Sequence, residues 1–129
     1  MDLLVDGNNV LGSRPDGWWR DRPAARRRLV AQLAQLGRPL VVVFDGRPVA
    51  SDQDLGEGTP VEVRFAPGGP DAADRVIEAL VASAADPGCL TVATSDRDLA
   101  RRVRALGATV EGAGGFLAHL PPAAGTPAS

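Results

Sequence analysis

Lysine and tyrosine are missing from this chain of 129 residues, and cysteine and histidine occur once each. A single cysteine makes no internal disulfide, and with one imidazole it supplies no thiolate or Cys/His zinc cluster. Cys89, just before the apolar run "LTVAT", is expected to be buried as a small hydrophobe. His119 stands alone near the end of the chain and receives no role. Without lysine, all 14 basic residues are arginine, which reads as codon bias, so that only their placement informs. No apolar run approaches transmembrane length. The first strand is expected to begin at Asp2, which leaves no room for the charged and apolar regions of a signal peptide. A cytoplasmic location without membrane attachment is the expectation.

What is present describes one soluble globular domain, with 44% hydrophobic and 23% charged residues and enough length for a compact core. A net charge of −2 argues against wholesale coating of nucleic acid, but "ARRRL" and "ARRVR" leave room for local basic patches. Residues 1–120 read as the domain, and the final "PPAAGTPAS", residues 121–129, has the composition of a disordered tail.

Four apolar runs rich in β-branched residues read as strands: "LLV" before Asp6, "PLVVVF" before Asp45, "PVEVRF" before Ala66 and "CLTVATS" before Asp96. Helical patterns lie between them. Residues 22–36 place Leu29, Val30, Leu33 and Leu36 at helix spacing behind Asp21 and Pro23, an N-cap and first turn, and Gly37 stops the run. Residues 71–85 put Ala72, Val76, Ala79, Leu80 and Ala84 on related faces, and residues 97–106 carry Leu99, Val103 and Leu106. A short strand is expected at 109–112, and a loop with a short helix at 46–60. Alternating strands and helices, two of the strands almost wholly apolar, predict a three-layer α/β/α sandwich with a mainly parallel central sheet.

In a parallel sheet all carboxyl ends share one edge, so Asp6, Asp45 and Asp96 are expected to converge there. The helix after the third strand starts at the same edge and brings Asp71 and Asp74, three residues apart on one face. Crowded carboxylates repel and call for a cation. An all-oxygen site without Cys or His favours Mg²⁺ or Mn²⁺. Each acid also has a plainer reading as a turn former or cap, and Asp71 and Asp98, at or near helix starts, suit capping or dipole roles. Asp52, Asp54, Glu57 and Asp86 read as solvated loop residues, and the arginines at 26–28 as a solvated helix face.

The segment "VDGNNV" resembles the Asp-Gly-x-Asn motif that opens NYN domains, PIN-like nucleases that include the bacterial YacP-like proteins. "VVVFDG", "GPDAADRVIEAL" and "TVATSDRDL" resemble further segments of the YacP-like branch in the same order, over most of residues 1–117. The resemblance implies a PIN-like fold and a metal-dependent ribonuclease, with Asp6, Asn9, Asp74 and Asp96 on the family's acidic-site positions. Asn8 fills the variable slot, and Asp71 falls where relatives can carry Glu. Asp98 is offset from the extra acid of some NYN nucleases. The resemblance also implies RNA as partner, with ribosome association, although the basic carboxyl-terminal region of YacP-like proteins has no counterpart in this sequence.

The expected activity is hydrolysis of single-stranded RNA by an endoribonuclease with Mg or Mn held by Asp6, Asp74 and Asp96 and, as further candidates, Asp45, Asp71 and Asp98. Asn9 would orient the first-strand turn or a water, a job for a neutral hydrogen-bonding group. The loop "GSRPDGWWR" offers Arg14 and Arg20 to phosphates, and Trp18 and Trp19 either stack on bases or pack on the first helix. A haloacid dehalogenase-type phosphatase needs a second aspartate where this chain has Asn8. A catalytically silent RNA- or protein-binding module of the same fold is the remaining alternative.

Overall fold

A computed structural model describes residues 2–122, and the tail expected over 121–129 lies outside them from residue 123 onward. Five strands form one sheet in the order β3-β2-β1-β4-β5, all neighbours parallel. They are β1 (Leu3–Asp6), β2 (Leu40–Asp45), β3 (Val61–Ala66), β4 (Thr91–Ala93) and β5 (Thr109–Glu111). Five helices connect or follow them: α1 (Gly7–Gly12), α2 (Arg22–Ala34), α3 (Ala72–Ala82), α4 (Arg97–Ala105) and α5 (Ala113–His119). This is the expected three-layer sandwich.

The two nearly uninterrupted apolar strands, β1 and β2, are buried on both faces because they occupy the interior of the sheet. On one face Leu3, Val5, Val42 and Phe44 meet Val10 and Leu11 of α1, Leu29 and Leu33 of α2 and Phe116 of α5. On the other, Leu4, Val41, Val43 and Val92 meet Ile77 and Val81 of α3 and Leu99 and Val103 of α4. Edge strand β3 alternates instead, exposing Glu62 and Arg64.

Asp21 caps α2 as expected, accepting from the Ala24 amide at 3.1 Å, and Gly37 follows the helix at φ 65°, where a β-carbon would be strained. The buried stripe of α3 runs through Ala73, Ile77 and Val81, whereas Ala79, expected on that face, is exposed. The stretch 46–60 contains one 3-10 turn at Ala50–Asp52. It is fastened to α2 by a buried ion pair, Arg26 Nη2 to Asp52 Oδ2 at 2.7 Å, with Arg26 Nε on the other carboxylate oxygen. This corrects two expectations: Arg26 is not on a solvated face and Asp52 is not a surface acid. Burial alone would raise the Asp52 carboxyl, but hydrogen bonds from Arg26 and the Val49 amide outweigh it and hold it below the usual range. Cys89 also departs from expectation. It is exposed, in a 3-10 turn outside the core, and its thiol reaches Asp86 Oδ2 at 3.1 Å, which pushes the thiol up.

Candidate active site

Strand order reverses at β1: the chain builds outward through β2 and β3, then crosses back to lay β4 on the other side of β1. The carboxyl edge at such a switch point opens a crevice, and the acids gather there. Asp6 ends β1 and is only 4% exposed. Its Oδ2 accepts from the Thr94 hydroxyl at 2.8 Å, and the same Thr94 oxygen accepts from the Asp96 amide at 3.1 Å. One hydroxyl therefore joins the ends of β1 and β4, and its single proton is committed to Asp6.

Two carboxamides brace the edge from α1. Asn8 Oδ1 accepts from the Asp45 amide at 2.9 Å, tying β1 to β2, and Asn9 Oδ1 accepts from the Ser95 amide at 2.7 Å, tying β1 to β4. Both accept backbone N–H bonds, which suits neutral amides amid like charges. Ser95 continues the chain of bonds by accepting from the Ala113 amide at 2.8 Å. Gly7, between Asp6 and the asparagines, sits where a β-carbon would lie 2.5 Å from the Phe44 ring and 2.9 Å from the Val43 carbonyl oxygen. The spacing Asp-Gly-Asn-Asn thus follows from contact geometry.

Asp45 and Asp96 each serve a helix amino terminus. Asp45 Oδ1 accepts from the Ala73 amide of α3 at 3.1 Å, and Asp96 Oδ1 accepts from the Asp98 and Leu99 amides of α4 at 2.9 and 3.1 Å. These caps correct the expectation for Asp71, which occupies the N-cap position of α3 without a side-chain cap bond. Asp98 lies in the first turn of α4, exposed and paired with Arg101 at 3.1 Å.

The carboxylates of Asp6, Asp45, Asp71, Asp74 and Asp96 feel one another. Burial, with added repulsion from Asp74, Asp45 and Asp96, pushes Asp6 up to about 7, against the opposing bond from Thr94. Burial and the charges of Asp96, Asp45 and Asp71 raise Asp74 to about 6. Asp45 is raised by burial and by Asp71, against the bond from Ala73. Asp98 does not belong to this set of perturbing charges. Burial and mutual repulsion thus favour the protonated forms of Asp6, Asp45 and Asp74.

The donor set is all oxygen, as Mg²⁺ or Mn²⁺ prefers. No three His, Cys, Asp or Glu side chains close into a metal-binding group among the described residues. An ion there would take the rest of its shell from water and phosphate, the habit of Mg²⁺.

The RNA-facing candidates divide. Arg14 is half-buried and donates to Gln32 Oε1 of α2, and burial with the nearby Arg28 charge lowers its guanidinium. Trp18 is partly buried against the core below Arg22, whose guanidinium lies 5.4 Å from its ring centre. Trp19 is 55% exposed, with Arg20 5.9 Å from its ring centre.

The sequence profile of the YacP-like NYN domain matches residues 3–124. The chain belongs to this family. Two crystal structures of Rae1 (YacP) from Bacillus subtilis are similar to it. One matches with a TM-score of 0.68 and 28% identity, and the other, of a point mutant, with 0.62 and 26%. Each match covers 92% of this chain and 72% of Rae1. No curated protein sequence matches. No helix among the described residues is long and apolar enough to cross a membrane.

Within this YacP-like domain, Thr94 and Asn8 are the contributors that sequence reasoning passed over. A hydroxyl two residues before Asp96 at the end of a central strand was a usable signal, because it must stand at the same edge as the acids. Asn8 gave no such signal, since its partner is a backbone amide 37 residues away.

Proposed function

We infer that this YacP-like NYN domain is a metal-dependent endoribonuclease acting on single-stranded RNA. The observation that carries the reading is the convergence of Asp6, Asp74 and Asp96 at the switch point, where burial and neighbouring charge raise the carboxyls of Asp6 and Asp74, an arrangement that a bound cation would relieve. Asp6, Asp74 and Asp96 would hold Mg²⁺ or Mn²⁺, with Asp45 and Asp71 adding field. When bound, such an ion supplies Lewis-acid stabilisation of phosphoryl oxygens and a more acidic water.

The chain's own groups set the stage. Thr94 fixes one oxygen of Asp6 and leaves the other for ligand or substrate water. Asn9 and Asn8 hold the ends of β4 and β2 at fixed distance from Asp6 without adding charge. Trp19 is the exposed ring on which an unpaired base can stack, and Arg20 beside it can meet a phosphate. Trp18 keeps the packing role.

The test is cleavage of a labelled single-stranded RNA with Mg²⁺, Mn²⁺ or EDTA. Wild-type protein should cut internally only with metal. Asp6→Asn, Asp74→Asn and Asp96→Asn should each lose more than the roughly 100-fold that removing a supporting residue costs. Three variants that cleave as fast as wild type would remove the reading. A silent RNA- or protein-binding module is the second reading, favoured by the open spacing of the carboxylates, which close into no cage among the described residues. RNA binding without metal-dependent cleavage would establish it.

A further inference from the structure

Beside the acid cluster, between α4 and edge strand β5, lies a cavity of about 280 Å³ lined by Thr94, Ser95, Gly112, Arg97 and Arg104. Its charge is opposite to that of its neighbour. Arg97 and Arg104 are seven residues apart, two turns on one face of α4. Their helix neighbours are neutralised, Arg101 by Asp98 at 3.1 Å and Arg102 by Glu78 at 3.7 Å. Arg97 and Arg104 have no carboxylate partner among the described residues. Two guanidiniums without a carboxylate partner on one cavity wall offer an anion two charged donors.

The other lining groups add donors at the same wall. Ser95 Oγ accepts from the Ala113 amide, so the hydroxyl proton remains available to a ligand. Gly112 leaves that hydroxyl uncovered, since a β-carbon there would stand 3.6 Å from Ser95 Oγ. A larger cavity on the outer face of α2 also contains two arginines, but Arg27 and Arg28 already face Asp54 and Asp16.

We propose that the α4–β5 cavity is an anion subsite for a phosphate group of the RNA next to the phosphodiester presented to the acid cluster. The inference rests on the ribonuclease reading for its substrate. Its physical sense is charge balance: a polyanion entering a cluster of five carboxylates is repelled wherever no cation stands between, and Arg97 and Arg104 are cations beside it. Thr94 is the shared wall: its hydroxyl donates to Asp6, and the residue also lines the cavity.

The experiment follows backbone amide NMR signals of the full chain during titration with inorganic phosphate, in wild type, Arg97→Gln/Arg104→Gln and the control Arg101→Gln. Saturable shifts at Ser95, Arg97 and Gly112 should occur in wild type and the control and vanish in the double variant, whose melting curve verifies folding. Shifts absent from the cavity in wild type, or retained there in the double variant, overturn the subsite whether or not the protein cleaves RNA.

Two hexanucleotides, one 5′-phosphorylated and one 5′-hydroxyl, identify the source of the phosphate. A preference for the phosphorylated strand that the double variant erases assigns a terminal phosphate. Equal binding, weakened alike in the double variant, assigns a backbone phosphodiester, with the log–log salt slope reduced by about 1.4 for two lost contacts. Affinity and slope unchanged in the double variant overturn the proposal. Failure of wild type to cleave any RNA, with the phosphate shifts intact, overturns the ribonuclease reading alone.

Discussion

A carboxyl group that is 4% exposed and faces other acids holds its proton to a higher pH than an ordinary carboxyl, and in the metal-free protein Asp6 thereby ties stability to pH. Its folded value near 7 lies above the ordinary 3.8, so the folded state binds the extra proton between those limits. Stability from this group is therefore complete below about pH 4 and is lost as pH rises toward 7. Asp74, raised to about 6, acts in the same direction over a narrower window. Asp6→Asn should flatten the fall in metal-free stability between pH 4 and 7 and raise the neutral-pH stability by at most about 4 kcal/mol. Chemical denaturation at several pH values in EDTA checks this, and a variant as pH-sensitive as wild type would contradict it. The acids themselves were legible in the sequence because strand ends predict a common edge. Their separate employments were not. Asp45 and Asp96 cap helices while Asp71 and Asp98 do not, since capping depends on which carboxylate reaches an amide across space.

At the scale of elements, the first turn of α1 is pressed against β2 so closely that only glycine fits at position 7. Gly7→Ala would drive a β-carbon into the Phe44 ring and the Val43 carbonyl, and should destabilise the fold by about 1–3 kcal/mol in denaturant melts. The second anchor joins α2 to the stretch after β2. Asp52→Ala strands a buried guanidinium and should cost about 3 kcal/mol, whereas Arg26→Met with Asp52→Leu should recover most of that loss. Equal stability of the single and double variants would show that the pair is not a unit. The five strands and the three long helices were readable, the strands mostly as short apolar runs rich in β-branched residues and the helices from their periodic apolar spacing. Helices α1 and α5 were not, because "GNNVLG" and "AGGFLAH" are short and glycine-bearing and are held by packing on the sheet. Arg26 and Asp52 went unread for the same reason as Asn8: 26 residues separate the partners, and nothing local marks either one as buried.

For the whole molecule, a divalent ion held as proposed would join folding, protonation and cation binding in one linked equilibrium. Protons and such an ion would compete for Asp6 and Asp74, so the ion's apparent affinity should increase as pH rises through about 6 and 7. A cation bound only by the folded chain adds about 2.7 kcal/mol when its free concentration is about a hundred times its dissociation constant. For a domain of this length that is a rise of several degrees in melting temperature. The increment from Mn²⁺ should therefore be small near pH 5 and large near pH 8, opposite in sign to the metal-free trend, so the two melting curves diverge with pH. Asp96→Asn should shrink the increment at every pH by weakening the site. Asp98→Asn should leave it unchanged, because that carboxylate faces Arg101 and solvent. A Mn²⁺ increment independent of pH, or equally sensitive to Asp98 and Asp96, would show that the ion binds elsewhere on the surface and would separate cation binding from the carboxylates of the switch point.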